Sequence, residues 1–155
     1  MRGGPFLFRK CNCGLYMEME LRRLVYARKA CICHVPVYTC RVCSTYELMP
    51  LVKPDLIAFI KSLGEVNTGV QVSFADINEP ASVLREVLST PHGSLQEFQQ
   101  RCEGAFEDRI NMLLDLYRFA KSQNDPAWVA DIENRLEKVI AFSKLKKEIL
   151  DICAR

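Results

Sequence analysis

CICHVPVYTCRVC, residues 31–43, holds four of the chain's eight cysteines and one of its two histidines. From Ala30 to Thr39 the residues alternate as a strand does, which places Cys31, Cys33, Val35 and Val37 on one side, because successive side chains of an extended chain point to opposite faces. Pro36 has no N–H to give to a ladder, so the strand is expected at an edge of its sheet. Just upstream, LYMEMEL (15–21) alternates as well, with Leu15, Met17, Met19 and Leu21 on one face and Tyr16, Glu18 and Glu20 on the other. ARKA, residues 27–30, lies between the two runs as a turn. A β-hairpin follows, and a two-stranded hairpin is marginal alone; it needs a metal or a neighbour to pack on.

The cysteines supply the first of these. CNCG (11–14) and CRVCS (40–44) flank the hairpin, and a turn near Arg28 carries both pairs back to the same end. Structural zinc is held tetrahedrally by thiolates drawn from such short pairs, so Cys11, Cys13, Cys40 and Cys43 are the candidate ligands of a structural Zn²⁺. Cys40-x-x-Cys43 has the usual spacing, whereas Cys11-x-Cys13 is one residue shorter and is followed by Gly14, which suits a turn at the metal. The competing reading makes all four ordinary buried cysteines. Cys31 and Cys33 cannot share that ion, because a strand of seven residues sets Cys33 ~23 Å from Cys40. They are expected in the core, since reduced cysteine packs as a small hydrophobe; a second thiol site is the alternative. His34 should face the other way, as a surface or partly packed histidine. Cys102 falls on an apolar helical stripe and belongs to the core, while Cys153 near the chain's end carries no signal.

Composition narrows the function classes. The chain has 155 residues, 49% of them hydrophobic, enough for one ordinary domain or a small module joined to a helical one. No run reaches ~18 apolar residues, the length of a membrane span, and MRGGPFLFRKCNCG is too short in apolar residues for a secretory leader. The cysteines are therefore expected to stay reduced in a cytoplasmic protein. Net charge is +2 but uneven, with +5 over residues 1–50 and −3 over the remainder. A basic head of this kind is compatible with a nucleic-acid contact, and Arg22, Arg23, Arg28 and Lys29 are its candidate residues. An enzyme is not expected. The only histidines are His34 and His92, no glycine-rich phosphate loop or paired acidic cluster occurs, and a zinc ion closed by four thiolates has no open position.

The rest of the chain reads as mainly helical. KPDLIAFIKSLG (53–64) is a short helix with Pro54 in its first turn and Gly64 as its stop. GVQVSF (69–74) is a short strand, and NEPASVLREVLS opens with Asn78 as N-cap. Ser94 and Glu97 form a capping box ahead of a stripe through Phe98, Cys102, Phe106, Ile110, Leu113, Tyr117 and Ala120. Asp125 and Pro126 then cap and start a second stripe through Ile132, Leu136, Val139, Phe142, Ile149 and Ile152. Two helices of roughly 40 Å each on so short a link should form an antiparallel αα-hairpin over 94–153. The fold class expected is α+β: a zinc-ribbon-like β-hairpin module, residues 1–50, then a mainly helical region, 51–155. A hairpin longer than a small core requires implies a protein partner or self-association through the C-terminal helices.

A Cys pair, a β-hairpin and then VPVYTCRVCSTYEL together resemble the N-terminal zinc-binding domain of YgiT/MqsA-type proteins, many of them antitoxins. The likeness covers residues 10–50: Cys11 and Cys13, the approach Val35-Pro36-Val37-Tyr38, and Cys40 and Cys43. It implies a zinc module. Residues 54–155 contain no helix-turn-helix pattern, so the DNA-reading half of such proteins is not implied. The function expected is that of a small zinc-binding regulator or adaptor acting through protein–protein contacts, with a nucleic-acid-binding regulator and a redox-responsive thiol protein as alternatives.

Overall fold

Ala30–Thr39 is the strand around which the sheet is built. The computed structural model describes residues 8–27, 30–63, 69–91 and 93–154. β1 (Phe8–Lys10), β2 (Tyr16–Tyr26), β3 (Ala30–Thr39) and β4 (Tyr46–Leu48) lie side by side in chain order, each antiparallel to the last. β5 (Val70–Ser73) joins β3 in parallel. The helices α1 (Lys53–Leu63), α2 (Glu79–Leu88), α3 (Leu95–Ser122) and α4 (Pro126–Ala154) complete an α+β fold, and α3 and α4 form the expected helical hairpin. β1 and β4, three residues each, are too short to show an alternation in the sequence.

β3 is an interior strand, which corrects the edge position expected from Pro36. One side of β3 pairs with β2, and the other is shared, residues 30–33 with β5 and residues 37–39 with β4. Pro36 falls in the gap between these two partners. Its carbonyl accepts from the Met49 N–H at 3.5 Å, so its nitrogen faces the gap as well, and no ladder bond is lost.

A second correction concerns the faces of β3. Arg22 pairs with Val35 but Leu24 pairs with Ile32, so Arg23 faces both Cys33 and His34. This β-bulge inserts one residue and resets the alternation. His34 accommodates it with φ +61, in the left-handed region that non-glycine residues seldom enter. Ala30, Ile32, Val35 and Val37 therefore share the fully buried face, and Cys31 and Cys33 turn to the other one, where both are only half-buried. They are not core residues. His34 shares their side and places Nδ1 2.8 Å from the Ser73 hydroxyl, on the residue of β5 that pairs with Cys33.

The helical caps follow the sequence. Asn78 Oδ1 accepts from the Ala81 N–H at 2.9 Å, Ser94 from the Glu97 N–H at 3.1 Å and Asp125 from the Trp128 N–H at 3.1 Å. Glu97 closes its box on the Gly93 N–H. Phe98, Cys102, Phe106, Leu113 and Ala120 of α3 are buried against Ile132, Leu136, Val139 and Phe142 of α4, and the Phe106 and Phe142 rings stack with centroids 5.1 Å apart. The side chains of Ile149, Ile152 and Cys153, and the stop at Gly64, lie outside the described residues. One apolar cluster runs from Met17 and Val37 of the sheet through Leu56 and Val83 to Phe142, so sheet and helices share a core.

Ion pairs tie the start of α2 to its neighbours. Glu79 accepts from Arg109 of α3 and, at 2.8 Å, from Arg135 of α4. Asp55 of α1 accepts from Lys138 of α4 and, at 2.9 Å, from the side chain of Asn78. Burial pushes the Glu79 carboxyl up, but the two guanidiniums outweigh it and hold it below its ordinary value. A depressed carboxylate contributes stability that is present above its unfolded pKa and lost as pH falls through the folded one. Glu79→Gln should therefore cost about 1–2 kcal/mol at pH 7, since Arg135 loses its carboxylate while Arg109 keeps Glu86 and Ser82. Its melting temperature should fall less steeply than the wild type's between pH 5 and 3, as thermal melts followed by circular dichroism would read.

Candidate metal centre

Two turns of similar design face each other at the end of the β2–β3 hairpin. In the first, the Cys11 N–H donates to the Leu15 carbonyl at 2.6 Å, and the Gly14 N–H donates to the Cys11 carbonyl at 2.9 Å. In the second, the Cys40 N–H donates to the Thr45 carbonyl at 2.9 Å, and the Ser44 N–H donates to the Cys40 carbonyl at 3.0 Å. The second turn is one residue longer, which is the difference between C-x-C and C-x-x-C. In each, the residue after the second cysteine is left-handed: Gly14 at φ +98 and Ser44 at φ +57. Glycine takes that conformation freely and serine takes it at a cost.

The turns bring the sulfurs of Cys11, Cys13, Cys40 and Cys43 within 4.8 Å of one another. Cys11 Sγ lies 3.3 Å from Cys43 Sγ, and Cys13 Sγ lies 3.6 Å from Cys40 Sγ. A tetrahedral ion with metal–sulfur bonds of ~2.3 Å has sulfurs about 3.8 Å apart, so the four thiols are close enough to hold a metal ion. Cys11 and Cys40 close the inner side of the cluster, buried to 9% and 1% exposure, while Cys13 and Cys43 face out. Among the described residues no other group of three or more cysteine, histidine or acidic side chains is this close.

Protons are distributed unevenly over the cluster. The Thr45 hydroxyl, 3.0 Å from Cys43 Sγ, followed by the Thr45 N–H, pushes the Cys43 thiol down to about 6. Cys13 moves the other way: the Leu15 N–H pulls it down, but Cys11, Cys40, partial desolvation and Cys43 together raise it to about 11. At neutral pH the cluster thus carries a thiolate at Cys43 while Cys13 keeps its proton. Thr45 was not singled out from the sequence; its only sign there is a hydroxyl residue two places after the last cysteine.

The other candidate residues lie elsewhere. Arg22 and Arg23 are adjacent on β2 and so point to opposite faces. The Arg22 guanidinium bonds Glu20 at 2.6 Å and lies 5.2 Å above the Tyr46 ring; Arg23 is exposed on the face that carries Cys33. Arg28, Lys29 and His92 lie outside the described residues. Cys102 is fully buried in the α3–α4 core.

Two substitutions test this geometry. Ser44→Gly should raise stability by about 1 kcal/mol by removing the left-handed strain, with metal content unchanged, as thermal melts and metal analysis would report. Thr45→Val should return the Cys43 thiol toward its ordinary range, read as a shifted pH profile of alkylation on metal-free protein. The same variant should lower metal affinity about tenfold, the usual effect of losing a hydrogen bond to a ligand.

Comparison with family models, with curated proteins and with solved structures finds no match to this chain.

Proposed function

We propose that the protein is a small zinc-binding regulator or adaptor, in which a structural zinc ion on Cys11, Cys13, Cys40 and Cys43 fixes the hairpin and the C-terminal helices make contacts with a protein partner or a second copy. The four-sulfur cluster carries the reading. Thiolates alone suit a soft ion, and a tetrahedral zinc with four sulfurs has no position left for substrate, so its role is structural and not catalytic. The likeness of residues 10–50 to YgiT/MqsA-type zinc domains points the same way.

The contact surface is supported by what α3 and α4 leave uncovered. Met112, Leu114, Phe119 and Ile140 are each more than a third exposed. A groove of about 460 Å³ between the helices is lined by Leu114, Tyr117, Leu136, Ile140 and Ala141, with Glu133, Glu137 and Lys144 at its rim. No helix among the described residues is long and apolar enough to cross a membrane. A redox response is the second reading, favoured by the exposure of Cys43 and by its thiol lying near pH 6.

Protein purified under reducing conditions should carry one zinc per chain by elemental analysis, released stoichiometrically by a thiol-specific reagent and absent from Cys40→Ser. Preparations that hold no zinc and take none up sink the zinc reading. Leu114→Glu combined with Ile140→Glu should abolish concentration-dependent association in sedimentation experiments without lowering the melting temperature. Mild peroxide that leaves the zinc in place would remove the redox reading.

A further inference from the structure

We propose that Cys31 and Cys33 form a second metal site, separate from the four-cysteine cluster, that binds a monovalent soft cation of the copper(I) class between two thiolates. Nothing in the zinc reading uses these residues, and the bulge at Cys33–His34 has taken them out of the core. They sit two apart on one face of β3, and both are half-buried.

Geometry decides what such a pair can do. Two residues of strand separate the Cα atoms by ~6.7 Å, the upper limit of the 4.4–~6.8 Å that a disulfide spans. A direct S–S bond of ~2.05 Å would therefore be strained. An ion bridging the sulfurs with bonds of ~2.3 Å spans up to about 4.6 Å between them, so a bridged pair forms where a bonded one does not. Along β3 even the nearer cysteine, Cys33, stands ~23 Å from Cys40, which keeps the two sites apart.

Ligand number and charge then select the ion. No third cysteine, histidine or carboxylate among the described residues completes a group with Cys31 and Cys33. Zinc, which takes four ligands, is poorly served, whereas soft thiolates suit Cu(I). Binding is balanced as Cu⁺ plus two thiols giving a bis-thiolate complex of charge −1 and two released protons. Arg23, across from Cys33 on β2, is the cation that meets this charge.

The test is an anaerobic titration of the full-length, zinc-loaded protein with Cu(I) buffered by bathocuproine disulfonate, counting both metals after desalting. About one copper per chain should be retained with zinc unchanged. Cys31→Ser combined with Cys33→Ser should lose that copper, and Arg23→Gln should weaken its binding several-fold, both with the wild-type zinc content. Copper retained by the double variant, or taken up by the wild type only as zinc leaves, overturns the proposal. Copper-edge X-ray absorption of the wild type decides independently of whether the variants fold: two sulfur neighbours support the site, and three or more overturn it. The zinc count and the copper count are separate readings, so either site can fail without the other.

Discussion

The constraint on which the molecule turns is the single extra residue in β3 opposite Arg23. A strand paired on both sides has little freedom to slip, since a one-residue shift would exchange every inward side chain for an outward one. The bulge at Cys33–His34 makes that exchange once, locally, at the cost of a left-handed histidine. Before it, Ala30 and Ile32 point inward; after it, Val35 and Val37 do. The bulge also lies near the place where β3 changes partners from β5 to β4, so the irregularities of the strand are concentrated between Cys33 and Pro36.

This explains which parts of the fold are legible in the sequence. Alternation locates β2, β3 and β5, and the caps at Asn78, Ser94 and Asp125 locate three of the helices, because each of those signals is local. The faces of β3 are misread because counting by twos assumes an unbroken ladder, and nothing in CICHVP marks the bulge. Pro36 is misread for a related reason: proline forbids a ladder bond, and the rule that sends it to an edge overlooks a gap between two partners inside the sheet. The four clustered cysteines are legible since a hairpin necessarily returns its two ends to one place. The contribution of Thr45 is not, because it depends on how tightly the second turn closes.

The described cysteines thus occupy three kinds of environment, and burial alone does not sort them. Cys102 is fully buried in the core that the helices share. Cys11 and Cys40 are as hidden, yet each faces another sulfur. At that end of the sheet one face is polar and partly exposed, with Glu18, Glu20, Thr39 and Tyr46, while Met17, Met19 and Tyr38 are buried in the core. At the start of α2, Glu79 and Asp55 gather cations from the long helices. The core between them is apolar and continuous.

The two thiol turns have a consequence for how the chain comes into being. All four sulfurs belong to residues made before any of the helices, and the farthest-separated cysteines that touch, Cys11 and Cys43, are only 32 positions apart. Closing a loop of that length costs ~3 kcal/mol of chain entropy, a sum that a thiolate–metal bond network exceeds several-fold. With an ion held by the four thiols, a growing polypeptide on the ribosome would have a closed β2–β3–β4 meander available while β5 and the helical hairpin are still unsynthesised. The later elements would then be added to a template whose strand register is already set.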